Sequence, residues 1–128
     1  MTKRIINTTN APKAIGPYSQ AVMAGGFLFS AGQVGLDPTS MNLMDGGIGP
    51  QTEQVISNLK AILAAEGLDF SHVVRTNIYL ADISTFQTVN KIYEKHFTES
   101  RPARSTIQAA ALPLNALIEM DLVAVIPD

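Results

Sequence analysis

The chain has 128 residues, 46% of them hydrophobic, with a formal net charge of −2 and no cysteine. Those totals fit one globular domain, residues 1–128, long enough to bury roughly two-thirds of its unfolded surface. They exclude disulfides and a thiol nucleophile, and they argue against a nucleic-acid or anionic-membrane partner, because no lysine and arginine cluster is present. No apolar run approaches the ~20 residues that span a bilayer. The first residues, MTKRIINTTNAPK, lack the apolar stretch of a secretory signal, so the chain reads as cytoplasmic.

Lys3 to Asn7, with Ile5 and Ile6, reads as a short edge strand. Asn10-Ala11-Pro12 and Ile15-Gly16-Pro17-Tyr18 are rigid turn punctuation, with Tyr18 at the end. Gln20 to Ala24 and Phe27 to Val34 flank Gly25-Gly26, a hairpin signal. In the second of these strands Phe27, Phe29, Ala31 and Gln33 share one face, and Leu28, Ser30 and Gly32 the other. Gly32 inside a strand marks a bulge or a close approach to the backbone.

Gly35 to Gly49 is a loop opened by Asp37-Pro38. It carries no phosphate-binding fingerprint: no GK[ST], and no GxGxxG after a strand. Pro50 to Glu66 reads as a helix, with Val55, Ile56, Leu59, Ile62 and Leu63 on one face and Thr52, Ser57, Asn58 and Lys60 opposite. Gly67 ends it.

Val73 to Ala81 is a strand rich in β-formers. Asp82 to Phe97 reads as a helix, capped by Asp82 or Ser84, with Phe86, Val89, Tyr93 and Phe97 facing inward. Asn90 falls on that stripe, and a buried amide needs partners. His72 and His96 are isolated, with no second ligand at metal spacing, so no metal site is expected.

Arg101 to Val125 reads as two strands about a short turn, Leu112-Pro113-Leu114-Asn115. Ala103 to Ala111 points Arg104, Thr106 and Gln108 one way, and Ser105, Ile107 and Ala109 the other. Ala116 to Val125 puts Ile118, Met120, Leu122 and Ala124 on one face. Glu119 and Asp121 share the other with Leu117, Val123 and Val125. A carboxylate among aliphatics must be paired, hydrated or functional.

Two helices, each with a single apolar stripe, cover one face of such a sheet. The strands are apolar on both faces, so the uncovered face is expected to meet copies of the same chain, with small-ligand clefts between them. The pattern does not distinguish a dimer from a trimer.

Several motifs now add up. N-A-P-x-A-I-G-P-Y-S-Q (Asn10 to Gln20), S-A-G-Q (Ser30 to Gln33), Q-V-I-S-N-L-K-A-I-L (Gln54 to Leu63), V-N-x-x-Y (Val89 to Tyr93), P-A-R-S (Pro102 to Ser105), A-L-P (Ala111 to Pro113) and I-E-M (Ile118 to Met120) occur in order along the chain. With these the sequence resembles the RidA/YjgF family of enamine/imine deaminases from end to end. The resemblance implies an α+β, chorismate-mutase-like fold: a mixed sheet with two helices on one face, and a homotrimer with a barrel-like core and intersubunit sites. It implies hydrolysis of 2-enamine and 2-imino acids, such as 2-iminobutanoate and 2-iminopropanoate, to 2-oxo acids and ammonia, with no cofactor. Carried over by position, Arg104 holds the substrate carboxylate, Tyr18, Ala31, Gly32 and Asn90 line the pocket, and Glu119 and Thr106 position the attacking water. Many bacterial relatives carry cysteine where this chain has Thr106, so a thiol mechanism has no residue here.

The chemistry suits those residues. Arginine's fork matches a planar carboxylate with two parallel hydrogen bonds. Glu119, beside Leu117 and Val123, is expected to gain proton affinity by desolvation, with Arg104 opposing if near. The residues alone also fit an Arg104–Glu119 structural ion pair, within or between subunits. Two other activities described for relatives compete: regulatory or chaperone-like binding of a small carboxylate, and RNA cleavage, which needs a cationic track.

Overall fold

The computed structural model describes residues 2–128. Seven strands form one mixed sheet: β1 (Arg4–Ile6), β2 (Ala21–Ala24), β3 (Phe27–Ser30), β4 (Gln33–Val34), β5 (Val73–Leu80), β6 (Ala103–Gln108) and β7 (Ile118–Val125). The helices are α1 (Ile48–Ala64) and α2 (Phe86–Phe97). The sheet order is β1-β2-β3-β7-β5-β6, with β4 also paired to β7. Only β5 and β6 run parallel, joined through α2; the other pairs are antiparallel. The expected α+β class, a mixed sheet with two helices, is the class observed.

The last two strands do not form a hairpin. β5 lies between β6 and β7. A βαβ crossover places β6 at the edge, and β7, apolar on both faces, takes the centre, where both of its edges are paired. The strands are also shorter than expected at Ala109–Ala111 and Ala116–Leu117, because Pro113–Asn115 forms a 3₁₀ turn, with Leu114 and Asn115 at φ 60 and 56.

The glycine inside the second hairpin strand marks a real break. Phe29 pairs with Val123, but Gln33 pairs with Met120, so one extra residue intervenes on the β3–β4 side. An extra residue reverses the alternation beyond it. Gln33 therefore lies buried on the helix-covered side rather than beside Phe27 and Phe29, which are exposed. The Ser30 hydroxyl accepts the Leu122 N–H at 2.9 Å across the break.

α1 begins two residues before Pro50. A proline in the first turn removes an N–H that has no helical partner anyway. The helix ends in an Ala65–Gly67 turn, with Gly67 at φ 70 and the Leu68 N–H donating to Leu63 O at 3.0 Å. Thr52 and Asn58, expected on the solvent side, are buried. The loop after β4 lies over that side: Asn58 Nδ2 donates to Leu36 O at 2.9 Å and accepts, through Oδ1, from Gln54 Nε2 at 2.8 Å. Ahead of α2, Asp82 caps a 3₁₀ turn, Ile83–Thr85, by accepting the Ser84 N–H.

One core joins the sheet to the helices. Leu28, Ile78, Leu80, Ile118, Met120 and Leu122 meet Val55, Leu59 and Ile62 of α1 and Val89 and Phe97 of α2. Each such side chain, fully buried, stabilises by roughly 1.5–3 kcal/mol. The other sheet face is open. Phe27, Phe29, Ile107 and Val125 are 39–53% exposed there. No helix is long and apolar enough to cross a membrane among the described residues.

Candidate active site

The expected site residues gather in two places, on opposite faces of the sheet. Arg104 stands on β6 opposite Thr76 of β5, and Thr76 is fully buried under α2. The Arg104 side chain follows it to the helix-covered side. Its Nη1 donates to Asn90 Oδ1 at 2.8 Å. Its guanidinium carbon is 4.7 Å from the centre of the Tyr93 ring and 5.3 Å from that of Phe86. Cation–π contact of this kind holds a guanidinium flat against a ring. Tyr93 is itself fixed: its hydroxyl shares a hydrogen bond of 2.8 Å with Thr76 Oγ1. Burial pushes the Tyr93 phenol up, opposed by Thr76 and by the positive charge of Arg104. A cavity of about 470 Å³ opens beside this cluster, lined by Asn90, Tyr93, Thr98, Arg101 and Arg104.

Thr106 lies two residues on, on the same side of β6. Its Oγ1 is buried without a hydrogen-bond partner. The Ala109 N–H donates to Leu80 O. By the alternation of a parallel pair, the carbonyls of Arg104 and Thr106 then face away from β5, toward the free edge of the sheet.

Glu119 faces the open side, in register with Val34 and with Tyr79. It lies in a cleft of about 80 Å³ with Ile15, Tyr18, Gly32, Pro113 and Leu114. The Gly32 break explains its place. A Cβ built on Gly32 would overlap the Glu119 carboxylate and stand 2.8 Å from its Cδ. The bare glycine backbone is what lets the carboxylate lie there. Tyr18 is half exposed, and its hydroxyl accepts the Ile15 N–H at 3.2 Å. Ala31 lies in the same break; its N–H donates to Gln20 O at 2.9 Å, but it does not line the cleft.

Burial raises the Glu119 carboxyl above the ordinary range, and the negative charge of Asp121 adds to the shift. The expected opposition from Arg104 is absent because the sheet separates the two residues. An Arg104–Glu119 ion pair within one chain is excluded on the same ground.

Three contributors escaped the sequence. Phe86 and Tyr93 read as core residues of α2, yet they also flank Arg104. Gln20 carries the loop that presents Tyr18: its Nε2 donates to Pro12 O at 2.8 Å and Thr8 O at 3.0 Å. A glutamine opening a strand beside a proline-rich loop was the available signal. The histidines stay peripheral. His72 Nδ1 accepts the Asp69 N–H at 3.0 Å, and His96 Nε2 lies 3.6 Å from Glu53.

The sequence model of the family described as Endoribonuclease L-PSP, which is the RidA/YjgF family, matches residues 8–126. The chain belongs to the RidA/YjgF family. It is 50% identical to protein DfrA of Myxococcus xanthus, over 98% of this chain and 97% of that one. It is 46% identical to human 2-iminobutanoate/2-iminopropanoate deaminase, over 98% of this chain and 91% of that one. The solved structure of an endoribonuclease-named protein of Thermotoga maritima superposes with a TM-score of 0.96 at 44% identity, covering 99% of this chain and 100% of that one. Members of one family thus carry different functional names.

Proposed function

We propose that this RidA/YjgF protein hydrolyses small 2-imino acids, 2-iminobutanoate and 2-iminopropanoate among them, to 2-oxo acids and ammonia, at a site shared by two copies of the chain. One observation carries the reading. A prepared carboxylate-binding guanidinium and an unpaired, half-buried carboxylate occupy opposite faces of one sheet, and Arg104 stands on its free edge. A second copy seated on the apolar open face brings one chain's Arg104 to the other's Glu119 cleft. Closed rings are the usual outcome of such head-to-tail contact, and a homotrimer of the family's kind satisfies it. The human relative's name supports the same chemistry.

In this reading Arg104 grips the substrate carboxylate with the donors Asn90 leaves free. Water adds to the carbon of the protonated imine and passes its proton to Glu119. Glu119 returns that proton to the nitrogen of the tetrahedral carbinolamine. The C–N bond then breaks as the hydroxyl proton moves to Glu119, which passes it to the departing ammonia. The products are the 2-oxo acid and ammonium. The Thr106 carbonyl at the strand edge orients the water, and the apolar walls of Tyr18, Ile15 and Leu114 suit a short aliphatic side chain.

The test is complementation. Imine is generated by a dehydratase and its decay followed by trapping. Arg104→Lys and Glu119→Gln are each expected to lose most turnover. After subunit exchange of an equal mixture, about one interface in four holds an intact pair, and turnover returns in proportion. Two inactive variants that stay inactive on mixing rule out a shared site. Two variants with normal turnover rule out the chemistry.

A further inference from the structure

The open face carries a second carboxylate that the reaction above does not use. Asp121 stands two residues from Glu119 on β7, on the same side. Their surroundings differ sharply. Asn77 Nδ2 donates to Asp121 Oδ1 at 2.8 Å, and the Tyr79 hydroxyl donates to Oδ2 at 3.0 Å. Asn77 is held in turn: Arg75 Nη2 donates to its Oδ1 at 3.2 Å and to Ser105 Oγ at 2.7 Å. Each Asp121 oxygen thus has its own donor, and a guanidinium stands behind the chain of bonds. Glu119 has no hydrogen-bond donor among the described residues.

We propose that Asp121 is a positioning residue for imine hydrolysis: a carboxylate fixed by a donor on each oxygen, which leaves its neighbour Glu119 as the group that gains and loses the proton. The inference rests on the function proposed above. Two like charges side by side on a strand disfavour double ionisation. Glu119, half buried, without a donor and beside the Asp121 carboxylate, takes up the proton more readily. Tyr79 completes the arrangement. Burial, then Asp121, then Glu119 push its phenol up, so it remains a donor. The other titratable groups facing Glu119 within its own chain come from the Pro12–Tyr18 loop, Lys13 and Tyr18, and both line its cleft; in the proposed assembly the Arg104 of another copy faces it as well, and that positive charge opposes the rise. Arg75 is on the far side of Asn77, nearer Asp121.

The sign of the pH effect follows. Glu119 serves as proton acceptor only when ionised, so turnover falls as pH drops through its raised value. Removing the Asp121 charge lowers that value, and the acid limb moves to lower pH. The experiment titrates the Glu119 carboxyl carbon by carbon-13 NMR in the assembled protein, with Glu119→Gln identifying the signal. Acid limbs of turnover are measured in parallel. In Asp121→Asn the midpoint is expected to move down, with the acid limb following it. In Tyr79→Phe, which disturbs the same network and keeps the charge, the midpoint is expected to stay. Asp121→Ser serves if Asp121→Asn does not fold. An unmoved midpoint in the Asp121 variants, or an equal movement in Tyr79→Phe, overturns the inference. Failure of the parent reading looks different: Glu119→Gln would then keep normal turnover with its acid limb intact, whatever the NMR titration shows.

Discussion

Arg104 is held on three sides, by the Asn90 amide at 2.8 Å and by the rings of Tyr93 and Phe86, while Glu119 across the sheet has an empty cleft and a glycine. Under the proposed reaction the two regions solve different problems. A group that recognises a charge of fixed shape gains from a rigid mount, because less freedom is lost on binding. A group that must take and return a proton gains from the opposite. It needs partial burial, no competing donor and room to move. The helix-covered side supplies rigidity through its packed core. In the proposed assembly the open side supplies a site that another chain completes.

The largest effect is expected from separating the two regions. Phe29 is 45% exposed on the open face, so a charge there leaves the single chain's core intact. In Phe29→Asp that charge would be buried against another copy, at several kcal/mol. The expected outcome is a monomer by analytical ultracentrifugation, with native helix content by circular dichroism and turnover at background. A monomer with full turnover would show that one chain contains the whole site.

Next comes Gly32→Ala. The new Cβ would overlap the Glu119 carboxylate, which must swing away. Misplacing a reacting group by about 1 Å costs on the order of a hundredfold in rate. The expected loss is in kcat, with KM little changed, because Arg104 on the other side is untouched. A loss confined to KM would place Glu119 in binding rather than in proton transfer.

Asn90→Ala tests the rigid side. It removes the amide that aims the guanidinium and leaves the charge. A hydrogen bond to a charged group contributes about 1.5–3 kcal/mol. KM is expected to rise by roughly tenfold or more on that basis, with the acid limb of the pH profile unmoved. A moved limb would show that Asn90 also sets how the guanidinium meets the Glu119 of the other copy.

The same contrast explains what was legible in the sequence. The helix stripes and the alternation of β7 located the core, because burial imposes a period on the chain. Gly32 was readable as a bulge or a close approach, and both occur. Its consequence was not readable: a one-residue slip reverses the facing of Gln33, and no local pattern announces a slip. Asn58 read as solvent-facing because its partners, the carbonyls of Val34 and Leu36, are far away in the chain. Arg104 and Glu119 were each identifiable, but their separation was not. It depends on β5 inserting between two strands that are neighbours in sequence, and strand order is set by packing rather than by composition.

The smallest effect is expected at Tyr93→Phe. The ring, and with it the face presented to Arg104, is kept. The hydroxyl bonded to Thr76 is lost, leaving Thr76 Oγ1 buried without its partner. Leaving a buried polar group unsatisfied costs about 1–3 kcal/mol, so the thermal midpoint is expected to fall by a few degrees. Turnover is expected to stay within about twofold, since stacking on the guanidinium comes from the ring rather than the hydroxyl. If KM instead rises as far as in Asn90→Ala, the Thr76 bond, and not the ring alone, sets the angle of the Tyr93 face. The rigid mount of Arg104 would then extend through Thr76 into β5, the strand that also carries Asn77 and Tyr79 on its opposite face, and the two regions would share a support.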